Sequence, residues 1–153
     1  MRSFREKGPR MNIETYRSAY FTNPPPEPRF QFESLNAFTL YFQQYEKALE
    51  FYTAVLGTPD YKEGESTHGW RIGTGWLTLL KGCEGNPKNI ELSIIMPTPH
   101  EAERLQLAFI EEGAVGHEPA DVFMYEAVHV CPVKDPFGTE IMIFSRYSDP
   151  NNV

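Results

Sequence analysis

Residues 133–144, VKDPFGTEIMIF, set the fold of the second half of this chain. Asp135-Pro136-Phe137-Gly138 has the makings of a tight reversal. Pro136 presets φ, the Asp135 carboxylate can accept from backbone N–H groups just ahead of it, and Gly138 supplies a positive φ. The residues that follow alternate as a strand does, with Glu140, Met142 and Phe144 on one face and Ile141 and Ile143 on the other. The second face belongs against a core. The first mixes a carboxylate, a thioether and a ring, which a cleft or solvent has to explain.

Working outward from that turn, residues 115–118, 125–133 and 139–145 read as three strands. Before them, HEAERLQLAFIEEGA (100–114) is an amphipathic helix that stops at Gly113. Before the helix, residues 90–96, IELSIIM, alternate Glu91, Ser93 and Ile95 against Leu92, Ile94 and Met96. The first half has the same order. Phe38, Leu40 and Phe42 alternate with Ala37, Thr39 and Tyr41 in a strand. In residues 43–58, QQYEKALEFYTAVLGT, Tyr45, Ala48, Leu49, Tyr52, Val55 and Leu56 recur at helical spacing before Gly57. Short strands follow at 60–62, 69–73 and 76–81, and the polar KGCEGNPKN (81–89) connects the halves.

The chain therefore reads as an α+β protein with two βαβββ modules, about 34–82 and 90–147, forming one domain over residues 34–147. Neither module holds enough core alone, so the two should pair. Residues 1–33 differ in texture: FTNPPPEPRF (21–30) cannot join a central sheet and reads as a Pro-rich arm, either a loose tail or a strap across a second copy. Met11 offers an alternative start within that arm.

The balance of 41% hydrophobic and 23% charged residues is that of a folded soluble domain. Fourteen Lys and Arg against 21 Asp and Glu give a net charge of −7, which disfavours nucleic acid and anionic membranes as partners. The basic N-terminus lacks the apolar stretch of a signal peptide, and no run of about 18 apolar residues offers a membrane span. A cytoplasmic location is expected. Cys83 and Cys131 form no C-x-x-C pair and are expected to be reduced thiols, Cys131 as a small core or pocket residue.

EKALEFYTAVLGTP (46–59), the helix HEAERLQLAFIEEGA and the closing VKDPFGTEIMIF together resemble the glyoxalase, bleomycin-resistance and extradiol-dioxygenase superfamily, the vicinal oxygen chelate proteins. The resemblance covers residues 33–146. It implies paired βαβββ modules forming a curved mixed sheet around a cleft, a frequent tendency to homodimerise, and a divalent metal held by His, Gln or Glu on the first and last strands of each module. Mapped onto this chain, those positions fall on Ala37, Leu79, Glu91 and Met142. Alanine and leucine cannot coordinate, and a thioether suits hard or borderline dications poorly. The expectation is no metal cofactor. Glu91 is then either a solvated carboxylate at a strand end or the one candidate catalytic group.

The histidines add no metal-ligand spacing. His68 is placed in a loop, His100 at a helix start, His117 after a glycine-bounded turn, and His129 on a strand with its side chain away from the cleft. The expected ligand pocket is Thr39, Tyr41, Leu79, Glu91, Ser93, Met142 and Phe144 facing inward, with Leu77 and Val130 beside them and Trp70, Arg71, Trp76 and Tyr125 at the rims. Such a wall either binds a small molecule or simply packs on itself. The favoured reading is a metal-free module for an aromatic or cationic small molecule, like the bleomycin-resistance branch. The alternatives are a superfamily enzyme, a lyase, isomerase, dioxygenase or thiol transferase, with a divalent metal at a non-standard site or with metal-free acid/base chemistry by Glu91 and Tyr41, Tyr125 or a histidine, and a purely interacting subunit.

Overall fold

The computed structural model describes residues 12–29, 35–82, 87–88 and 90–146. The expectations for Met11, for Cys83 and for residues 30–34 at the start of the domain lie outside that set.

The reversal at residues 135–138 closes as its composition requires. Asp135 Oδ1 accepts from the backbone N–H of Phe137 (2.9 Å) and Thr139 (2.7 Å), and Gly138 sits at φ +93°. Its second oxygen does something that the sequence does not reveal. Oδ2 accepts 2.7 Å from the hydroxyl of Tyr52, 83 residues earlier, and ties the last turn of module two to the helix of module one.

Module one runs β1 (Ala37–Phe42), α2 (Tyr45–Leu56), β2 (Tyr61–Glu63), β3 (Thr67–Ile72) and β4 (Gly75–Lys81). Module two runs β5 (Glu91–Met96), α3 (Pro99–Glu111), β6 (Val115–Gly116), β7 (Ala120–Met124), β8 (Glu126–Lys134) and β9 (Glu140–Arg146). Both helices stop where a glycine takes positive φ, Gly57 at +93° and Gly113 at +111°. α3 starts on a Thr98 cap whose hydroxyl accepts from Glu101 N, with Pro99 in the first turn. The α+β architecture is as expected, with one addition: β7, unread in the sequence, inserts before β8.

The strands form two sheets. The first has the order β1-β4-β3-β2 and the second β5-β9-β8-β6, with β7 also paired to β8. β1 runs parallel to β4 and β5 parallel to β9, the same crossover in each module. Each module thus keeps its own sheet, and β1 and β5 are both edge strands at the module boundary.

One core serves both modules. Leu40, Phe42, Leu77 and Leu79 from the first sheet meet Leu92, Ile94, Ile141 and Ile143 from the second under α2 and α3. Phe51 of α2 lies 6.1 Å from Phe109 of α3, ring to ring, across the join. Each fully buried side chain of this size contributes roughly 1.5–3 kcal/mol. Removing either module's contribution would leave the other's helix with an exposed apolar stripe.

Part of the N-terminal segment, residues 12–29, is described, and it holds a helix that the sequence reading did not expect. Residues Ile13–Tyr20 form α1, capped by Asn12, whose side chain accepts from Thr15 N at 2.8 Å. None of its residues is buried. Tyr16 docks it, stacking on Phe123 of β7 at 4.7 Å while its hydroxyl accepts from Tyr125 N at 2.7 Å. No helix among the described residues is long and apolar enough to cross a membrane.

Candidate functional site

Register decides which side chains share the face of each sheet turned away from the helices. On the first sheet Ala37 pairs with Trp76 and Trp76 with Arg71. Thr39 pairs with Thr78, Thr78 with Gly69 and Gly69 with Tyr61. Tyr41 pairs with Leu80, Leu80 with Thr67 and Thr67 with Glu63. Three rows therefore cross the face. The middle row is small, and the outer rows carry Trp76 and Arg71 on one side and Tyr41 and Leu80 on the other. At a rise of about 3.3 Å per residue the outer rows stand roughly 13 Å apart. The result is a trough floored by Thr39 and Thr78.

Tyr61 closes one end. Its ring meets Trp76 edge-on at 6.2 Å, and its hydroxyl donates to Glu63 at 2.6 Å. A Cβ on Gly69 would stand 3.5 Å from the Trp76 ring and 3.6 Å from Tyr61 Cβ, so this floor position lies directly under both. The Arg71 guanidinium lies over the Trp76 ring at 4.2 Å. Tyr41 and Tyr61 remain 54% and 46% exposed, a large aromatic area on one sheet face.

Beside the trough, Trp76 also borders a groove of about 210 Å³ at the module boundary. Leu35, Ala37 and Phe38 line one side and Leu92, Ser93 and Ile94 the other. These are the open edges of β1 and β5.

The second sheet is built differently. Glu91, Ser93 and Ile95 of β5 pair with Glu140, Met142 and Phe144 of β9, so the opening segment's mixed face does face away from the helices. Met142 is 1% exposed and forms a small apolar cluster with Val128 and Val130, against which Ala120, Val122, Met124 and Phe144 pack. Here the side chains fill the concavity. Glu91 and Glu140 are register partners at its end, each partly buried.

Several expected pocket residues are placed elsewhere. Leu79 and Leu77 point to the helices, because β4 is offset by one residue from the expected parity; Thr78 and Leu80 are the cleft-facing pair. Trp70 is 3% exposed on the same helix side, donating from Nε1 to Gly57 O at 2.9 Å, and is core rather than rim. Tyr125 sits at φ +65° in the β7–β8 hairpin, 76% exposed beside α1. Thr39, Tyr41 and Trp76 share the trough, Ser93 and Ala37 the groove, and Glu91, Met142 and Phe144 the second sheet. Tyr61 was missed: its place depends on the Gly69 register, and the only sequence signal is the alternation of Tyr61 with Glu63.

The four positions where a family metal would bind do not supply a donor set. Ala37 has no donor, and Met142 is enclosed by valines. At β4 neither Leu79 nor its cleft-facing neighbours offers imidazole or carboxylate. Glu91 and Glu140 add two carboxylates, and among the described residues no three His, Cys, Asp or Glu side chains group to hold an ion.

Two of the four histidines are committed elsewhere. His68 lies in β3, not a loop, and is buried against Tyr45, whose hydroxyl shares a hydrogen bond with Nδ1. Burial, then the Lys62 charge, pushes the imidazole below 6.5, while burial and nearby Glu46 and Glu65 push the phenol up to about 12. His129 faces the helix side as expected. Its Nδ1 bonds Asp121 at 2.7 Å and Nε2 bonds Glu103 at 2.9 Å. Burial opposes its charge, but the two carboxylates outweigh that and raise it above 6.5. Cys131 is fully buried, and burial first, then Glu103 and Asp121, pushes its thiol up to about 12, so it is core and no nucleophile.

The family model for the glyoxalase/bleomycin resistance protein/dioxygenase superfamily matches residues 34–143. Among solved structures, a glyoxalase/bleomycin resistance protein from Albidiferax ferrireducens T118 superposes with a TM-score of 0.61 at 18% identity, over 74% of this chain and 98% of that one. A glyoxalase/bleomycin resistance protein/dioxygenase family enzyme from Burkholderia phytofirmans PsJN gives 0.61 at 15% identity, over 75% and 100%. An integron cassette protein from V. cholerae gives 0.59 at 17%, over 77% and 98%. At these identities the likeness is one of fold. No curated protein matches the sequence. With the family model spanning most of its length, this chain belongs to the glyoxalase/bleomycin resistance protein/dioxygenase superfamily.

Proposed function

We propose that this protein is a binding module for a planar aromatic small molecule, which lies in the trough of the first sheet without a metal ligand. The observation that carries the reading is the pattern of rows. Small side chains, Thr39 and Thr78, floor a strip bounded by Tyr41, Trp76 and Tyr61, with hydroxyls in the floor to orient a guest. Stacking and edge contacts with such rings favour flat π systems, and sparse hydroxyls supply direction rather than strength. The donor chemistry at Ala37 and Met142 supports a site that works by shape and stacking.

The two tryptophans make the test selective. Trp70 is buried in the core, so a ligand in the trough quenches Trp76 alone. Chelator-treated protein titrated with flat bicyclic aromatics should lose part of its tryptophan emission saturably, and Trp76→Phe should abolish that response. Thr78→Phe, which fills the floor, should abolish binding measured by calorimetry. Binding that survives Thr78→Phe, or a response that appears only after a divalent ion is added, would refute the reading.

A further inference from the structure

The charge of the guest follows from Arg71, and this step rests on the reading of the trough as a binding site. We infer that the ligand is a planar aromatic anion, a carboxylate or equivalent oxyanion on a flat ring system, with Arg71 as the residue that selects it. The net charge of −7 and the aromatic wall point on first sight to a cation. The local arrangement points the other way.

A cation is drawn to the face of an aromatic ring, and Trp76 is the largest ring on the wall. One face of it is already covered by the protein's own guanidinium at 4.2 Å. A cationic guest would have to displace Arg71 or approach it against like charge. Stacking, however, uses only the flat face of a guanidinium. Its N–H donors lie in the plane and point outward, in the fork that matches a carboxylate bidentately.

Those donors have no carboxylate of their own. The acidic residues near Arg71, at and around the β2–β3 hairpin, make their recorded contacts with groups other than its guanidinium. Asp60 accepts from the Arg71 backbone N–H at 2.8 Å, Glu63 from the Tyr61 hydroxyl at 2.6 Å, and Glu65 faces Lys62 at 3.8 Å. Among the described residues the Arg71 side chain makes no ion pair. The guanidinium is thus stacked on Trp76, exposed, and carried on the row that bounds the trough. A flat ring over Thr39 and Thr78 with a carboxylate at its edge would reach that fork.

An isosteric series separates charge from shape: 2-naphthoate, 2-naphthalenemethanol and 2-naphthylmethylammonium, titrated calorimetrically into the full chain. Naphthoate should bind at least about tenfold tighter than the alcohol, as a charge-assisted pair predicts, and the ammonium weakest. Arg71→Gln should remove the anion's advantage over the alcohol, while Arg71→Lys, which keeps charge but loses the fork, should restore only part of it. The inference is overturned if the ammonium binds best, or if the anion's advantage survives Arg71→Gln. Binding of all three with equal affinity overturns the inference but leaves the planar site standing. Binding of none overturns both.

Discussion

Replacing Tyr52 by Phe tests the joint between the modules without disturbing packing. The ring would stay where it is, edge-on to Phe51 at 5.2 Å and 6.0 Å from Phe42, and only the hydroxyl would go. That hydroxyl is held protonated, its pKa raised well above 10 by burial and by the Asp135 charge, so it is a donor at every working pH. What is lost is a buried hydrogen bond to a carboxylate, for Asp135 is only 4% exposed. Bonds of this kind contribute about 1.5–3 kcal/mol. For a chain of this size each kcal/mol moves the midpoint by about 2–4 °C, so Tm should fall by roughly 3–12 °C. Urea unfolding followed by circular dichroism measures the same quantity directly. The turn itself should survive, because Oδ1 keeps its two backbone donors. In a double-mutant cycle with Asp135→Asn the two losses should be strongly non-additive. A loss below about 0.5 kcal/mol, within the range of an ordinary surface change, would show that the cross-module bond is not what holds the turn to α2.

Three further outcomes follow from the site's surroundings. His129 is raised above its ordinary 6.5 in the folded state, so its contribution is fully present below that value and is lost as pH rises through the folded pKa; His129→Gln should flatten that part of the stability profile. His68 is depressed by burial, so its contribution is present above 6.5 and lost as pH falls below it, and a profile that rises on acidification from that point would contradict the geometry. Met142→Glu, which restores the residue type that family metal sites use, places an unpaired carboxylate among Val128 and Val130 and should cost about 3–5 kcal/mol near neutral pH. Its stability should recover as acid neutralises the new group, and a variant as stable as wild type at pH 7 would place Met142 outside the apolar cluster.

The elements legible in the sequence were those whose signals are local. Alternation around Met142, the helical spacing of Tyr45 to Leu56 and the stops at Gly57 and Gly113 each specify an element from its own residues, and the repeat follows from their order. β7 escaped because ADVFM has little pattern of its own and becomes a strand by pairing with the long β8. α1 escaped because eight residues beside a run of prolines carry only a weak helical signal, made definite by the Asn12 cap and by Tyr16 docking on Phe123.

The site was less legible because it depends on register. One residue of offset in β4 sends Leu79 to the core and brings Thr78 and Leu80 to the cleft. The same parity on β3 turns Trp70 inward and Arg71 outward, and the trough appears only once Thr39, Thr78, Gly69 and Tyr61 are aligned across four strands. No count along one strand reveals that row. The Met142 face was read correctly, because the glycine of the turn anchors its count within a few residues.

The measurement bearing most directly on a site that works by shape and stacking is a calorimetric titration of the chelator-treated protein with Zn²⁺, Ni²⁺ and Mn²⁺. Ala37, Met142 and the β4 residues give these ions no donor set, so the expected result is no stoichiometric binding at micromolar concentration and no change in affinity for flat aromatics when the ions are present. One ion bound per chain with micromolar affinity, strengthened by an aromatic guest, would contradict the account.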